Sequence, residues 1–140
     1  MKAIVNIDGA SRGNPGAASC AAVVRLEGAP ERRLGLYLGT TTNNVAEYSG
    51  LILGITEALD EGADEIEIRS DSNLCVQQVK GEFKVKNQKL IPLHQRVQYL
   101  LRRFRAWEIR HVSREENTAA DSVSNRVLDL QELMARGERD

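Results

Sequence analysis

The stretch Lys2-Ala3-Ile4-Val5-Asn6-Ile7-Asp8-Gly9, followed at once by Ala10-Ser11-Arg12-Gly13-Asn14-Pro15-Gly16, decides how the chain is read. Its first half is apolar and alternating, which predicts a strand over 2–9. Its second half, from Ser11 to Gly16, is a turn cluster of small, amide and proline residues. Asp8 stands where the two meet. A carboxylate that closes an otherwise apolar strand just before a glycine is an unusual placement.

Outward from that strand, Ser19 to Glu27 and Arg32 to Gly39 read as two more strands joined by Gly28-Ala29-Pro30-Glu31. Such short connections predict an antiparallel meander. The apolar period then changes. From Asn44 to Glu61 it falls at Val45, Tyr48, Ile52, Ile55 and Leu59, a helical stripe stopped by Gly62. Glu65 to Ser70 is a short strand. Asp71 or Ser72 caps a helix that runs to about Lys80 and stops at Gly81. After the polar connection Lys84–Gln88, a second stripe comprises Leu90, Leu93, Val97, Leu100, Leu101 and Phe104. Trp107 to Val112 is the last strand and Asn117 to about Met134 the last helix, with a charged tail after Ala135 expected to fray. The order β-β-β-α-β-α-α-β-α predicts an α/β fold: one five-stranded mixed sheet flanked by helices, in a single domain over residues 1–140.

Connections through helices make the first, fourth and fifth strands parallel. Asp8 and Asp71 then end two parallel strands at one rim. Glu47 begins the first helix at the same rim, and Asp121 lies early in the last. Ligand sites in open α/β sheets favour that carboxyl end. Taken singly, three of these acids have ordinary readings. Asn44-Val45-Ala46-Glu47 has the form of a capping box, Asp71 of an N-cap, and Asp121 of a solvent-facing helix residue. Together they would repel one another and hold their protons. A divalent cation removes that penalty, and all-oxygen ligation selects a hard ion, Mg²⁺ or Mn²⁺.

A hydrophobic share of 41% places the chain with ordinary globular domains. The net charge of −1 argues against a simple polyanion binder. The charge is uneven, however. Glu57, Asp60, Glu61, Asp64, Glu65 and Glu67 form an acidic stretch, and Arg96, Arg102, Arg103, Arg105, Arg110 and Arg114 a basic one. No apolar run is long enough to span a membrane. The first residues turn polar too soon for a signal peptide, so the expected location is the cytoplasm. Cys20 and Cys75, far apart and in no metal-type spacing, read as half-buried thiols.

Four segments together carry a resemblance. Ile7 to Gly16, Thr41-Thr42-Asn43-Asn44-Val45-Ala46-Glu47-Tyr48, Ser70-Asp71-Ser72-Asn73 and Glu116-Asn117-Thr118-Ala119-Ala120-Asp121 resemble, in order, the four motifs of the ribonuclease H type 1 family. The resemblance implies the RNase H-like fold and the catalytic, metal-holding set Asp8, Glu47, Asp71 and Asp121. It also implies two Mg²⁺ ions per site, with Mn²⁺ able to substitute, and endonucleolytic cutting of the RNA strand of an RNA/DNA hybrid to 3′-hydroxyl and 5′-phosphate ends. Asp8 would bridge both ions, with Glu47 and Asp71 on one and Asp121 on the other. Glu47 would also reach a ribose 2′-hydroxyl, the group that distinguishes RNA from DNA.

For substrate, the resemblance implies a grip on the RNA strand by Asn14 and its neighbouring turn, with Gly9 and Arg12. Thr42 and Asn43 would form a phosphate pocket for the DNA strand. Asn44 would lie between the strands and Asn73 against a base edge. Two departures stand out. The histidine-bearing loop of many bacterial members is cut to Ser113-Arg114-Glu115-Glu116, leaving Arg114 or Glu115 as stand-ins. The tryptophan- and lysine-rich handle is missing. Lys89, Arg96 and Arg103, on one helical face, are either its substitutes or a solvated surface. The pattern resembles archaeal-type or handle-less bacterial members, and a monomer without an appended hybrid-binding domain is expected. The competing readings are a non-catalytic nucleic-acid-binding module and a related nuclease acting on duplex RNA or DNA junctions.

Overall fold

A computed structural model describes residues 1–139, with side chains described as far as Gly137. The elements are β1 (Lys2–Gly13), β2 (Gly16–Leu26), β3 (Arg32–Thr41), α1 (Asn43–Asp60), β4 (Glu65–Ser70), α2 (Asn73–Lys80), α3 (Ile91–Leu101), β5 (Ala106–His111), a 3-10 turn (Arg114–Asn117) and α4 (Thr118–Arg139). They build one five-stranded sheet in the order β3-β2-β1-β4-β5. β1, β2 and β3 form the antiparallel meander, and β4 and β5 lie parallel to β1.

The apolar core lies between one sheet face and α1, α2 and α3. Val5 and Ile7 of β1, Ile66 and Ile68 of β4, Leu51 and Ile55 of α1, Val76 of α2 and Leu101 of α3 meet there. Burying each such side chain stabilises the fold by roughly 1.5–3 kcal/mol. α4 covers the opposite face over β1, β2 and β3. β2 is thus buried on both faces, from Ala18 to Val24. That is why small and branched residues run continuously there instead of alternating.

On the α4 side of the sheet, β4 and β5 lie beyond the strands that α4 covers, and there they carry charge. Glu67, nearly buried, is met by Lys2 at 3.5 Å, Arg69 at 2.6 Å and Arg110 at 3.6 Å. Lys2, Arg69 and Arg110 thereby turn an open sheet face into a polar one.

Four expectations change. β1 does not stop at Asp8 or Gly9. The residues read as a turn cluster continue the strand to Gly13, and Gly13 pairs with Gly16 across a hairpin. Arg114–Asn117 is a helical turn rather than a plain connection, closed by a capping box between Ser113 and Glu116. The last helix passes Met134 and the tail expected to fray, reaching Arg139; Asp140 lies outside the described residues. Both cysteines are fully rather than half buried, free, and held protonated by that burial, Cys20 with a pKa pushed up to about 11.

α1 approaches β1 closely because Gly50 faces the strand. A Cβ at that position would stand 2.9 Å from the Asp8 carbonyl oxygen and 3.3 Å from that of Ala21. Gly50→Ala should therefore push α1 off the sheet, despite the better helix propensity of alanine. The expected loss is about 1–3 kcal/mol in urea denaturation; a variant as stable as the native chain would mean that the contact is not tight.

Candidate active site

The site forms where the sheet splits. Parallel pairing of β1 with β4 ends at Ile7 opposite Ser70, so Asp8 and Asp71 are the next residues on neighbouring strands. Beyond that level β1 continues with β2 alone, from Asp8 opposite Ala21 to Gly13 opposite Gly16. α1 begins beside the split. Thr42 is its N-cap, with Oγ1 accepting from the Val45 N–H at 3.3 Å.

Glu47 is therefore in the second turn, and its Oε1 accepts from the Gly9 N–H at 3.1 Å. The capping-box reading of Asn44 and Glu47 does not hold, because the cap lies two residues earlier. Strand and helix meet here only because residue 9 is glycine: a Cβ would fall 2.4 Å from the backbone of Ala46 and of Glu47. Asp71 is not a cap either. Ser72 takes that role on α2, accepting from the Cys75 N–H at 3.3 Å.

Asp8, Glu47 and Asp71 each offer a carboxylate oxygen, and the three oxygens lie within 4.8 Å of one another. Asp8 is 5% exposed and Glu47 7%, so both are nearly out of water. Burial raises the Asp8 pKa to about 6; the hydrogen bond from Ser124 works against that rise, and the charges of Asp71 and Asp121 add to it. Burial, then the charges of Asp8 and Asp71, hold Glu47 well above the usual carboxylate range. Glu47 Oε2 is buried without a hydrogen-bond partner among the described residues. A buried oxygen left unpaired is costly. Three clustered oxygens with one orphan fit a hard divalent cation, which would partner the orphan and relieve the repulsion.

Asp121 is exposed in the first turn of α4. It lines the same cavity, of about 390 Å³, but lies outside the set of three; Asn125 Nδ2 donates to its Oδ1 at 3.2 Å.

Gly9, Asn43, Asn44 and Arg114 line that cavity with the acids. Asn14 reaches it indirectly, its Oδ1 accepting from the Asn43 N–H at 3.2 Å, while Ser11 Oγ donates to Asn43 Oδ1 at 2.8 Å. The hairpin arm is thereby tied to the start of α1. Arg12 turns away: its guanidinium pairs with Asp129 and Glu132 of α4, both at 2.7 Å. Thr42 is occupied as the cap. Asn73 accepts from Gln77 Nε2 at 3.2 Å, and neither Asn73 nor Glu115 lines the cavity. His111 Nε2 bonds the Asp71 carbonyl oxygen at 3.2 Å, which gives the ring a holding role. Arg96 of α3 and Arg102, the residue that caps its C-terminus, flank the Tyr99 ring, each 5.8 Å from its centre.

Two supports went unread in the sequence. Ser124, fully buried, donates to Asp8 Oδ2 at 2.7 Å. Asn117 donates to Asp71 Oδ2 at 3.4 Å. The helical i,i+3 spacing from Asp121 was the one local signal for Ser124.

Residues 6–127 match the family model described as reverse transcriptase-like. The RNase H1 of the halophilic archaeon Halobacterium salinarum, known from a crystal structure, is 38% identical, with a TM-score of 0.88 over 92% of this chain and 98% of that one. The chain belongs to the ribonuclease H type 1 family. LC11-RNase H1, solved in complex with an RNA/DNA hybrid, is a further family neighbour, 34% identical with a TM-score of 0.82 over 89% of this chain and 94% of that one. Bifunctional protein Rv2228c of Mycobacterium tuberculosis is 39% identical over the whole chain, which spans 39% of that longer protein. The sheet expected from the family resemblance is the one observed. Among the described residues, no helix is long and apolar enough to cross a membrane.

The acid cluster fixes how stability depends on pH. Folded, Asp8 holds its proton up to about pH 6; unfolded, it releases it near its ordinary 3.8. Folding thus favours the protonated form. That contribution is complete below about pH 4 and disappears as the pH climbs through 6, on the order of 2–3 kcal/mol in all. In chelator, the melting temperature should fall over this range. At pH 7, Asp8→Asn or added Mg²⁺ should raise it; an amide variant that melts no higher than the native chain would contradict the assigned strain.

Proposed function

We propose that the chain cuts the RNA strand of RNA/DNA hybrids endonucleolytically, using Mg²⁺, with Mn²⁺ able to replace it. The observation that carries this reading is the cluster of buried Asp8 and Glu47 with part-buried Asp71, and its orphaned Glu47 oxygen. Asp8, Glu47 and Asp71 would hold one ion, and Asp8 with Asp121 a second. Two such ions, when bound, supply an activated water and a stabilised leaving oxygen for in-line transfer, giving 3′-hydroxyl and 5′-phosphate ends.

The protein's own part is placement. Ser124 fixes Asp8 from the α4 side and the Gly9 N–H fixes Glu47 from the β1 side. Asn44 and Asn43 line the cavity at the start of α1, where the two strands of a hybrid would lie. Asn14 would meet the RNA strand and Thr42 a DNA phosphate. Arg12, paired with α4, offers its backbone rather than its charge. Arg114 is the cation that lines the cavity and would face the cut phosphate, taking over from the absent histidine. Glu115 and Asn73 keep at most outer contacts. The same reading takes the protein as a cytoplasmic monomer.

Labelled RNA/DNA hybrid, duplex RNA and duplex DNA, incubated side by side, test the proposal. Hybrid should be cut only with divalent ion, and Asp8→Asn should reduce cutting to background. Unchanged cutting by that variant, or an untouched hybrid beside cleaved duplex RNA or DNA, would refute it. A hybrid bound but never cut would mark a binding module instead.

A further inference from the structure

Asn6 and Asn117 are buried polar side chains, 4% and 1% exposed. Asn6 shares a sheet face with Asp8, since alternate residues of a strand point the same way. A chain of hydrogen bonds runs through both. Arg25 Nη2 donates to Asn6 Oδ1 at 2.7 Å. Asn6 Nδ2 donates to Asn117 Oδ1 at 2.9 Å. Asn117 Nδ2 donates to the Ile7 carbonyl oxygen at 2.9 Å and, at the longer distance of 3.4 Å, to Asp71 Oδ2.

The direction of this chain reads the same from either end, since a donor-only group closes one end and acceptors close the other. An amide side chain has a donor end and an acceptor end, and either can face a given neighbour. Arginine only donates. Asn6 must therefore turn its oxygen to Arg25 and its nitrogen to Asn117. Asn117 must then present oxygen to Asn6 and nitrogen to Ile7 and Asp71. A reversed Asn117 would set its own oxygen against the Ile7 carbonyl and the Asp71 carboxylate. Being buried, it has no water to turn to. Asn117 also directly precedes α4, one helical turn before Asp121.

We propose that Arg25 and Asn6 are positioning residues of the metal site: they dictate, through Asn117, that Asp71 is met by a donor. The claim rests on the metal-site reading above. Neither residue touches the cavity that would hold substrate. Outer partners of metal ligands commonly change ion affinity by about 10–100-fold.

Asn6→Asp is the sharp variant. Aspartate still accepts from Arg25 but sets its other oxygen against Asn117 Oδ1, so the pull of Ile7 and Asp71 on the Asn117 amide is opposed from position 6. Mg²⁺ affinity by calorimetry should fall by about tenfold or more, with KM for hybrid unchanged and the loss of kcat recovered at high Mg²⁺. A merely structural role would lower the melting temperature and leave this split unmoved. In Mg²⁺-free protein, the Asn117 side-chain amide resonances should shift and lose their slow exchange.

Arg25→Met, at the half-exposed end, should weaken Mg²⁺ in the same direction by less, and Arg25→Lys, again only a donor, should retain native affinity. A folded Asn6→Asp with native Mg²⁺ affinity overturns the proposal. If that variant does not fold, Arg25→Met with native affinity does so. A native chain that neither binds Mg²⁺ nor cuts hybrid would sink the site reading itself, whereas native binding with unaltered variants sinks the relay alone.

Discussion

Asp8 and Glu47 are carboxylates buried side by side, and much of the surrounding structure answers to that placement. Water is largely excluded from both. Each is pushed toward its protonated form by burial first and by acidic neighbours after. A fold held by its apolar core can carry such strain because the core lies elsewhere, between the sheet and α1, α2 and α3. The two strained groups are gripped by hydrogen bonds from separate elements, Glu47 by the backbone of β1 and Asp8 by Ser124 on α4, while Asn117, just before α4, holds the neighbouring Asp71. Such gripping costs stability and fixes geometry, which is the exchange a metal site requires.

The cover of the sheet is uneven, and that asymmetry has a chemical side. Where α4 lies, β2 is apolar throughout and Ser124 reaches Asp8. Where α4 does not reach, Glu67 and its ring of cations keep β4 and β5 wettable. The chain from Arg25 to Asn117 crosses from the solvent-facing side to the interior. A surface cation is in this way linked to the orientation of a buried amide.

Most of the architecture was legible because it rests on periodicity. The meander, the helices and the strand directions follow from apolar spacing and the kind of connection between strands. Asp8 was legible because a charge at the end of an apolar strand has few ordinary explanations. Other features depend on contacts distant in sequence. The extension of β1 to Gly13 was hidden because glycine, asparagine and proline read as a turn. Only pairing with Gly16–Cys20 of β2 turns Gly9–Gly13 into strand. The cap of α1 was misplaced because Thr42 and Asn44 both have capping chemistry, and the end of β3 decides between them. Ser124 carried only its spacing from Asp121, and Asn117 only its place beside that acid in the fourth motif; a serine inside a helix and an asparagine before one are commonplace, so neither residue announced its contact. Arg12 drew attention as a cation in a motif, yet Asp129 and Glu132, more than a hundred residues away, engage its charge.

Where β4 ends, β1 keeps going, and its flank from Gly9 to Gly13 has lost its parallel neighbour. A bare strand flank normally invites a stray segment of another chain to add itself, the first step toward aggregation. In this protein the opening turns of α1 stand in for the missing strand, with Glu47 taking the Gly9 N–H and Asn43 the Ser11 hydroxyl. The carboxylates beside them add a negative charge that an incoming apolar strand has no means of neutralising. The residues that would hold a cation thus also close the flank of the central strand that β4 leaves open.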